Sequence, residues 1–347
     1  MNLRGVMLLA ATLAGCGRIG FDEADAWAAH STLILDRYDA GETLLDFPVA
    51  LVLSEDRVDF DLVRPDGSDL RVYDESGTIL PLELEAARPY VAWVRVPRIE
   101  GRTTRLTVSY GDTSAPVAMG PVWPDADAVW HFGGGGTIDS SPHHHDAVPY
   151  GNASPSDGFR TSGYGFDGAS ALLVPDTDWM PVAQLTIYGM MRLRSTTGFH
   201  SLVSRENAAS AASDFWLGSF NGMTRVGIDT IAGSSGIDTG TVAPERWDSY
   251  ALVYDGFRLY SFFDGQSLSS KAISGDVLYS NGNAVMLGAA RDNLDLTNQG
   301  STPDCDFVTG EIDEIRIEHV ARSAAWIAAT GISIGDGWIT YGAIEYD

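Results

Sequence analysis

Residues 247–256 read WDSYALVYDG, residues 257–265 read FRLYSFFDG, and these two adjoining segments decide the fold. Each ends in Asp-Gly, a dipeptide that accepts the positive φ angles of a tight hairpin turn. Apolar side chains occupy both faces of the first segment, with Tyr250, Leu252 and Tyr254 on one face and Ala251 and Val253 on the other. Because neither face is polar, we expect this strand to lie inside a stack of two sheets.

Short β-rich runs recur along the rest of the chain, where helical periodicity is almost absent. Four of them are separated by turn sequences and occupy residues 47–53, 69–73, 90–96 and 104–110. Strands at this spacing are typical of antiparallel sandwiches. One short helix is predicted at residues 323–330, with Ser323 as its N-cap and Gly331 as its stop. The sequence therefore predicts an all-β chain of two antiparallel β-sandwich domains.

The composition is that of a folded and strongly acidic protein. Its 347 residues suggest about two domains, and 44% of them are hydrophobic, which excludes wholesale disorder. Asp and Glu outnumber Lys and Arg by 47 to 22, giving a formal charge of -25. Such a chain repels phosphate backbones, so we expect no nucleic-acid partner. The two cysteines cannot form a disulfide framework, and the acidic surroundings of Cys305 predict an unreactive loop or partly buried thiol.

The first residues predict export and anchoring. An apolar run at residues 6–14 is too short for a permanent transmembrane helix and leads into LAGC, which ends at Cys16. This motif resembles a bacterial lipobox, and the resemblance implies removal of a lipoprotein signal peptide at residues 1–15 and acylation of Cys16. The alternative is an ordinary secretory signal with an unrelated cysteine. The N-terminal lipid would tether the protein to a membrane, and Gly17 and Arg18 favour the outer membrane of a bacterial cell envelope.

The C-terminal part resembles the laminin-G-like, concanavalin-A-like jelly-roll superfamily. The matching pieces are spread along it: VWHF at 129–132, Asp139-Ser140-Ser141-Pro142, GFDG at 165–168, LTI at 185–187, the hairpin at 247–265, GEIDEIRI at 310–317 and ITYG at 339–342. The resemblance implies a jelly-roll domain over residues 119–347, which includes the closing strand.

The preceding part resembles an uncharacterised bacterial β-domain that often stands just before such jelly rolls. The resemblance lies in DFPV at 46–49, DGSDLR at 66–71 and AWVRVP at 92–97. We therefore expect a tether at residues 16–30 and an N-terminal β-sandwich domain of unknown function at residues 31–118. No biochemical activity comes with this family, so the resemblance implies boundaries and no mechanism.

Glycoside hydrolases of the jelly-roll superfamily place carboxylates on one strand in a Glu-x-Asp-x-x-Glu pattern, so that a nucleophile and an acid flank the glycosidic bond. The nearest match here is EIDEIR, which begins at Glu311 and has Arg316 in place of the third acid. Strand periodicity predicts that Glu311 and Asp313 share their face with Ile315 and Ile317, a face that continues into the core. We therefore expect no catalytic residues and a protein that is not an enzyme.

A carboxylate on such a face needs a partner, because burying it alone is costly. Relatives with this jelly roll often carry a structural calcium near the first and last strands. That resemblance implies a calcium site formed by Asp313 and Asp139, with backbone carbonyls near Phe132 and Gly133, and calcium suits such hard oxygen ligands. The alternative is that Asp313 accepts hydrogen bonds from the backbone of a neighbouring loop.

Histidines and tryptophans offer two further candidate sites. Residues 143–145 are all His, but consecutive residues of a strand point to opposite sides, so we expect a solvated loop rather than a metal site. Exposed indole faces stack on sugars, and Trp179 with Asp178 lies in the loop VPDTDWMP, which makes this pair the expected ligand-binding site. The other tryptophans considered match strand positions, where core packing is the default expectation: Trp130, Trp216, Trp247 and Trp326.

These observations favour a lipid-anchored cell-envelope protein with a non-catalytic, lectin-like binding or adhesion role toward a glycan or a cell-surface protein. The alternatives are a polysaccharide-active glycoside hydrolase on the jelly-roll fold and a structural envelope component that binds no small ligand. The missing third carboxylate favours binding over hydrolysis.

Overall fold

The structure, a computed structural model, describes residues 27–86, 90–112, 114, 120–175, 182–207, 212–279, 284–292 and 303–347. Within these ranges the strands pair almost entirely antiparallel and are accompanied by one α-helix, which confirms the predicted all-β class. The first strands are β1 (Ala29–Leu35), β2 (Leu44–Leu53), β3 (Arg71–Asp74), β4 (Leu82–Ala86), β5 (Tyr90–Ile99) and β6 (Thr104–Tyr110).

The remaining elements follow in chain order. They are β7 (Ala126–Trp130), β8 (Val148–Tyr150), β9 (Ser154–Asp157), β10 (Ser162–Asp167), β11 (Ala171–Val174), β12 (Leu185–Leu193), β13 (Phe199–Asn207), β14 (Ala212–Phe220), β15 (Met223–Thr230), β16 (Gly233–Thr239), β17 (Trp247–Tyr254), β18 (Arg258–Phe263), β19 (Gln266–Ala272), β20 (Val285–Leu287), β21 (Ala290–Asp292), β22 (Pro303–Cys305), β23 (Thr309–Glu318), α1 (Ala324–Ile334) and β24 (Ile339–Tyr346). A 3₁₀ turn, Gly133–Gly135, follows β7.

Two sheets form the first sandwich. One has the strand order β24-β1-β6-β3 and the other β2-β5-β4. Their inward side chains alternate with exposed or half-buried ones, as in β1, where Ala29, Leu33 and Leu35 are fully buried. This alternation places an apolar core between the sheets, which is the physical basis of a sandwich.

Two larger sheets form the second sandwich. The eight-stranded sheet has the order β19-β18-β17-β12-β23-β10-β9 with β7 beside β23, and the nine-stranded sheet has the order β16-β15-β14-β13-β20-β11-β8 with β21 and β22 at its side. Ile187 and Leu252 of the first sheet share one buried cluster with Leu217 and Val226 of the second. The outer face of the nine-stranded sheet therefore lies on the opposite side from this core.

Strand β17 is buried on both faces, as its sequence predicts. Tyr250, Leu252 and Tyr254 belong to the core of the second sandwich. Ala251 and Val253 belong to a separate cluster that contains the first sandwich and helix α1. The outer face of the eight-stranded sheet is therefore covered by the rest of the protein.

Helix α1 completes that cover. The Oγ atom of Ser323 accepts a hydrogen bond from the Trp326 N–H at 3.0 Å, which confirms the predicted N-cap. The helix continues through Gly331, its predicted stop, and ends at Ile334. At its N-terminal end Trp326 packs edge-to-face on Phe47 of β2, with ring centroids 4.7 Å apart.

The closing strand belongs to the first sandwich, although the family resemblance places it in a jelly roll that extends to residue 347. Strand β24 pairs antiparallel with β1, with Leu33 opposite Tyr341 and Leu35 opposite Ile339. Trp338, just before it, is buried against Phe47, with ring centroids 5.5 Å apart. Alternation alone predicts a strand but does not say which sheet edge will receive it.

Candidate ligand-binding site

The outer face of the nine-stranded sheet carries an open cleft of about 390 Å³, which we call the outer cleft. Its main lining residues are Phe199, His200, Trp216, Arg225, Cys305 and Asp306. Trp216 and Arg225 project away from the core because they alternate with the buried residues Leu217 and Val226. Ligand sites are typically such concave surfaces with a few polar groups among apolar ones.

Trp216 forms the floor of the outer cleft because its neighbours on two strands are glycines. Trp216 pairs with Gly227, and Gly227 pairs with Gly236 on the next strand. A Cβ atom on Gly227 would lie 1.8 Å from Cζ2 of the indole, and one on Gly236 would lie 3.4 Å from it. The indole therefore lies across bare backbone, a position that no larger residue at 227 permits.

Two phenylalanines and an arginine form one rim of the outer cleft. Phe199 and Phe220 pair across β13 and β14 and stack with ring centroids 4.0 Å apart. The guanidinium of Arg225 lies 4.8 Å from the Phe199 centroid and 3.7 Å from the carboxylate of Asp238. Phe199 is 40% exposed, so this rim offers solvent an aromatic surface, a cation and a carboxylate together.

His200 joins β13 to the segment that carries Asp306. Its Nδ1 lies 3.0 Å from the carbonyl of Phe307 and its Nε2 lies 3.1 Å from the carbonyl of Thr197. The carbonyl of Asp306 also accepts a hydrogen bond from the N–H of Ser201 at 2.9 Å. These contacts hold the segment around Asp306 and the half-buried Cys305 against β13.

The sequence pattern does not predict this cleft. Trp216 is expected in the core, but the structure places it on the outer face; the usable signal is the pair of glycines, Gly227 and Gly236, at cross-strand positions. The expected pair Trp179 and Asp178 lies outside the described residues. Trp130 and Trp326 are buried as expected.

Asp139, a predicted calcium ligand, has both carboxylate oxygens occupied by hydrogen bonds. Its Oδ1 accepts from the N–H groups of Val129 (2.7 Å) and Ser141 (2.8 Å), and its Oδ2 accepts from the Ser141 hydroxyl (2.6 Å) and the His145 N–H (2.8 Å). A carboxylate surrounded by four donors fits the fastening of a loop and does not fit a cation ligand.

The same loop changes the interpretation of the histidine run. His145 is buried, and its Nδ1 lies 2.9 Å from the carbonyl of Asp127, whereas His143 and His144 are exposed. The prediction of a wholly solvated loop is therefore wrong for His145, because Asp139 draws that residue inward.

A β-bulge in β23 overturns the predicted face pattern of its carboxylates. Tyr188 pairs with Arg316 but Met190 pairs with Asp313, so β23 has one extra residue there, and Glu314 has a φ of 54°. The isoleucines at 312, 315 and 317 all face the core of the second sandwich. Asp313, next to Ile312, points the other way, toward the first sandwich.

Asp313 is held by a loop backbone. Its Oδ2 accepts a hydrogen bond from the Phe159 N–H at 2.7 Å, and its Oδ1 accepts one from the Glu314 N–H at 2.9 Å. Burial, together with the charges of Glu314 and Glu85, raises the pKa of Asp313 well above its usual range. This geometry favours the alternative in which a neighbouring loop satisfies Asp313.

Between the two sandwiches lies a group of titratable side chains, the half-buried Glu85 and the buried His131, Glu314 and Arg316, which we call the junction cluster. Glu314 Oε2 accepts hydrogen bonds from His131 Nδ1 at 3.0 Å and from Arg316 Nη2 at 3.1 Å. Glu85 accepts hydrogen bonds from the Thr161 hydroxyl at 2.5 Å and from the indole N–H of Trp93 at 3.1 Å. The cluster thus joins β4 of the first sandwich to β23 of the second.

The two carboxyl groups of the junction cluster have pKa values that are shifted in opposite directions. Burial and the nearby charge of Glu314 raise the pKa of Glu85 to about 7. Burial opposes ionisation of Glu314, but His131 and Arg316 outweigh it, so the pKa of Glu314 is lowered. Burial disfavours the charged form of His131, but Glu314 outweighs it, so the pKa of His131 is raised.

The junction cluster also contains three side chains that could bind a metal. One donor atom of each of Glu85, His131 and Glu314 lies within 4.8 Å of the others, and neither predicted calcium ligand belongs to this group. Arg316, however, is already bonded to Glu314 and supplies positive charge at its centre. We therefore interpret the cluster as an ion-pair network that fastens the sandwiches together.

Glu311 forms ion pairs with two arginines instead of facing an open cleft. Its carboxylate accepts hydrogen bonds from Arg192 Nε at 3.0 Å and from the guanidinium of Arg194. A carboxylate bound by two guanidinium groups is a structural anchor.

The residues predicted for export and anchoring, 1–15 and Cys16, lie outside the described residues. In the ranges that the structure describes, the one helix has eleven residues and no helix is long and apolar enough to cross a membrane.

Comparison with known protein families defines the class of the second sandwich. Residues 166–328 match a family described as the concanavalin A-like lectin/glucanases superfamily, and this part of the chain is a concanavalin A-like β-sandwich. Residues 66–132 match a family described as a domain of unknown function, DUF2341. A search of the curated proteins finds no match.

Similar solved structures include a domain of an enzyme and domains of toxins. Domain 4 of an extracellular arabinanase from Geobacillus stearothermophilus, in complex with arabinotriose, is 17% identical with a TM-score of 0.47, and the match covers 59% of this chain and 97% of that one. The binding domain of botulinum neurotoxin serotype G is 11% identical with a TM-score of 0.45, over 59% of this chain and 50% of that one. The chain thus spans about half the length of the toxin domain.

Proposed function

We propose that this protein binds glycans through the outer cleft and does not cleave them. The observation that carries the proposal is the half-buried indole of Trp216, which packs on the backbone of Gly227 and Gly236 and lines an open cleft. The apolar C–H face of a sugar ring can stack on such a surface, while Arg225 and Asp306 at the rims offer hydrogen bonds to its hydroxyl groups.

A non-catalytic role is supported by the carboxylates of β23. Glycoside hydrolysis requires an acid and a nucleophile or base that flank the sugar. Glu311 is tied to two arginines, Asp313 is buried and bonded to backbone, and Arg316 occupies the third position. Both carboxylates are therefore engaged in contacts within the protein, which favours binding over hydrolysis.

The proposal includes a location. The resemblance of residues 13–16 to a lipobox supports a lipid anchor at Cys16, in the outer membrane of a bacterial envelope. Display on a membrane would suit a binding or adhesion module, whose partner would be a glycan or the glycan of a surface protein.

A glycan array probed with the full chain lacking residues 1–16 tests the function. We expect binding to a restricted set of glycans. Binding through the outer cleft should be lost in Trp216→Ala and retained in Phe257→Ala, a control that truncates a 77% exposed aromatic on the β17–β18 turn. A reducing-sugar assay on the bound glycans should show no release. Sugar release that Glu311→Gln abolishes would instead establish a hydrolase, and no binding at all would favour a purely structural envelope component.

A further inference from the structure

A second cleft of about 400 Å³ lies at the junction of the two sandwiches, and we call it the junction cleft. Strands β12 and β17 form its floor, helix α1 forms one wall, and Tyr38 of the first sandwich closes one end. It is separate from the outer cleft, because it lies on the face of the eight-stranded sheet that packs toward helix α1 and the first sandwich. The outer cleft lies on the nine-stranded sheet.

Aromatic rings dominate the junction cleft. Tyr38, Phe159 and Trp247 are all half-buried, so each presents part of its ring to the cleft. Phe159 and Trp247 meet edge-to-face with centroids 6.2 Å apart, and the guanidinium of Arg192 lies 5.4 Å from the Trp247 centroid. These contacts hold the rings in place without a ligand, which lowers the entropic cost of binding one.

Polar groups converge on the same space. The hydroxyl of Tyr188 is buried beside the hydroxyl of Ser249, and among the described residues no other side chain gives it a hydrogen bond. A Cβ atom on Gly331 of α1 would lie 3.8 Å from that hydroxyl and 3.9 Å from the Ser249 hydroxyl. Both hydroxyls therefore sit under a helix position that has no side chain. Asp264, whose side chain is 43% exposed, accepts hydrogen bonds from the Ser249 N–H and from Arg246 Nη2, both at 3.1 Å, and its carboxylate oxygens can accept further ones.

The charge of the lining selects among ligands. The residues that line the junction cleft include the carboxylate of Asp264, and the described residues of this lining contain no lysine, arginine or histidine. The carboxylate of Asp264 is already paired with the guanidinium of Arg246 at 3.1 Å, so a charged ligand would find no unpaired opposite charge in the described lining. A purely apolar ligand would add no hydrogen bond to the hydroxyls of Tyr188 and Ser249. A neutral sugar ring satisfies both conditions, because it combines C–H faces with hydroxyl groups.

We propose that the junction cleft is a second glycan-binding site, specific for a neutral sugar unit and built by both sandwiches. It is independent of the outer cleft, where Arg225 stands at the rim. One glycan chain that reaches both clefts would be held at two places on one molecule, which raises the effective affinity for a polymer.

Isothermal titration with cellotriose, mannotriose and arabinotriose tests the proposal. We expect at least one of them to bind the wild-type chain, and the Trp216→Ala chain to retain one site. Gly331→Met should abolish that retained site, because its side chain would enter the cleft from a helix position that tolerates it. Tyr188→Phe should weaken it about fivefold, the loss of one hydrogen bond.

Ala324→Met is the matched control, because it places the same side chain on an exposed position of the same helix; it should leave both sites unchanged. Thermal melting confirms that each variant is folded. Binding that survives Gly331→Met and Tyr188→Phe, or that disappears in Trp216→Ala alone, would overturn the junction site and leave the outer cleft standing. Binding lost only in Gly331→Met would reject the outer cleft instead, and no binding of any trisaccharide would reject the junction site.

Discussion

The guanidinium of Arg316 lies 4.4 Å from the ring centroid of Trp93, and this contact joins the second sandwich to the first. Trp93 also stacks on the ring of His131, with centroids 5.0 Å apart. Arg316 is only 4% exposed and ion-pairs with Glu314. A buried arginine that both stacks and forms hydrogen bonds is a geometry that lysine cannot reproduce.

Arg316→Ala should therefore destabilise the protein by about 3–5 kcal/mol, because it leaves the buried carboxylate of Glu314 with His131 as its remaining cationic partner. Urea unfolding measures this, and Arg316→Lys should recover only part of the loss. Arg102→Ala, at an exposed position, is the control and should change stability by less than about 0.5 kcal/mol. A loss below about 1 kcal/mol for Arg316→Ala would contradict the role given to the junction cluster.

Stability should fall as the pH rises from about 5 to 8. The pKa of Glu85 is raised to about 7 in the folded chain, so the folded state holds its proton more tightly than the unfolded state. The stability that this proton contributes is fully present below the unfolded pKa and is lost as the pH passes the folded one. The raised pKa of His131 acts in the same direction.

Glu85→Gln should flatten this dependence and stabilise the protein at about pH 8 relative to wild type, since its amide oxygen can still accept a hydrogen bond from Thr161. Thermal midpoints across the pH range measure the effect, with Glu55→Gln, an exposed carboxylate, as the control. An unchanged pH profile in Glu85→Gln would show that this carboxyl does not carry the dependence.

Gly227→Ala should strongly weaken glycan binding at the outer cleft without unfolding the chain. Its Cβ would lie 1.8 Å from the indole of Trp216, which must then leave the sheet surface. We expect a loss of at least about tenfold in affinity. Gly236→Ala provides a graded control, because its Cβ would lie 3.4 Å from the same ring and should have a small effect. Equal affinities for the two variants would count against the position of Trp216 as the binding surface.

Asp139→Asn should destabilise the second sandwich by about 1–3 kcal/mol, because an amide cannot accept all four hydrogen bonds that the carboxylate receives. The calcium prediction can be tested in the same thermal melts. With Asp139 saturated by donors, we expect EDTA to leave the midpoint of the wild-type chain unchanged. A midpoint that falls with EDTA and is restored by calcium, but not in Asp313→Ala, would establish the calcium site.

Cys16→Ser should release the full-length protein from the membrane fraction of the bacterium that produces it. The alteration removes the thiol that the lipobox resemblance marks for acylation, and two or more acyl chains are what makes such anchoring stable. Fractionation with detection of the mature chain measures the change. Continued membrane association of the variant would point to another tether.

The sequence predicts those parts of the fold in which one regular period continues without interruption. Alternation in residues 247–254 correctly places Tyr250 and Leu252 in one core and Ala251 in another. The cap at Ser323 is predictable because it depends on local chemistry. Period-2 counting fails on β23, because a single extra residue at Glu314 reverses every side chain that follows it.

The candidate sites are less predictable because they depend on contacts between distant segments. Trp216 looks like any core tryptophan until Gly227 and Gly236 are known to be its neighbours across strands. For Asp313 the sequence leaves open both a calcium ligand and a carboxylate bonded to a loop, and only the Phe159 N–H found beside it favours the second. Neither contact can be inferred from a short stretch of sequence, because each depends on how separate segments come together in the folded chain.

The pairing of β24 with β1 makes the first sandwich a discontinuous domain into which the second is inserted. The strands from β7 to β23 lie between two parts of one four-stranded sheet. A fragment that stops at residue 118 would leave β1 with an unpaired edge and would lack Trp338 from its core. During synthesis, this sheet can therefore be completed only after the entire insertion has left the ribosome. The first sandwich should accordingly be expressed together with the inserted second sandwich and with β24.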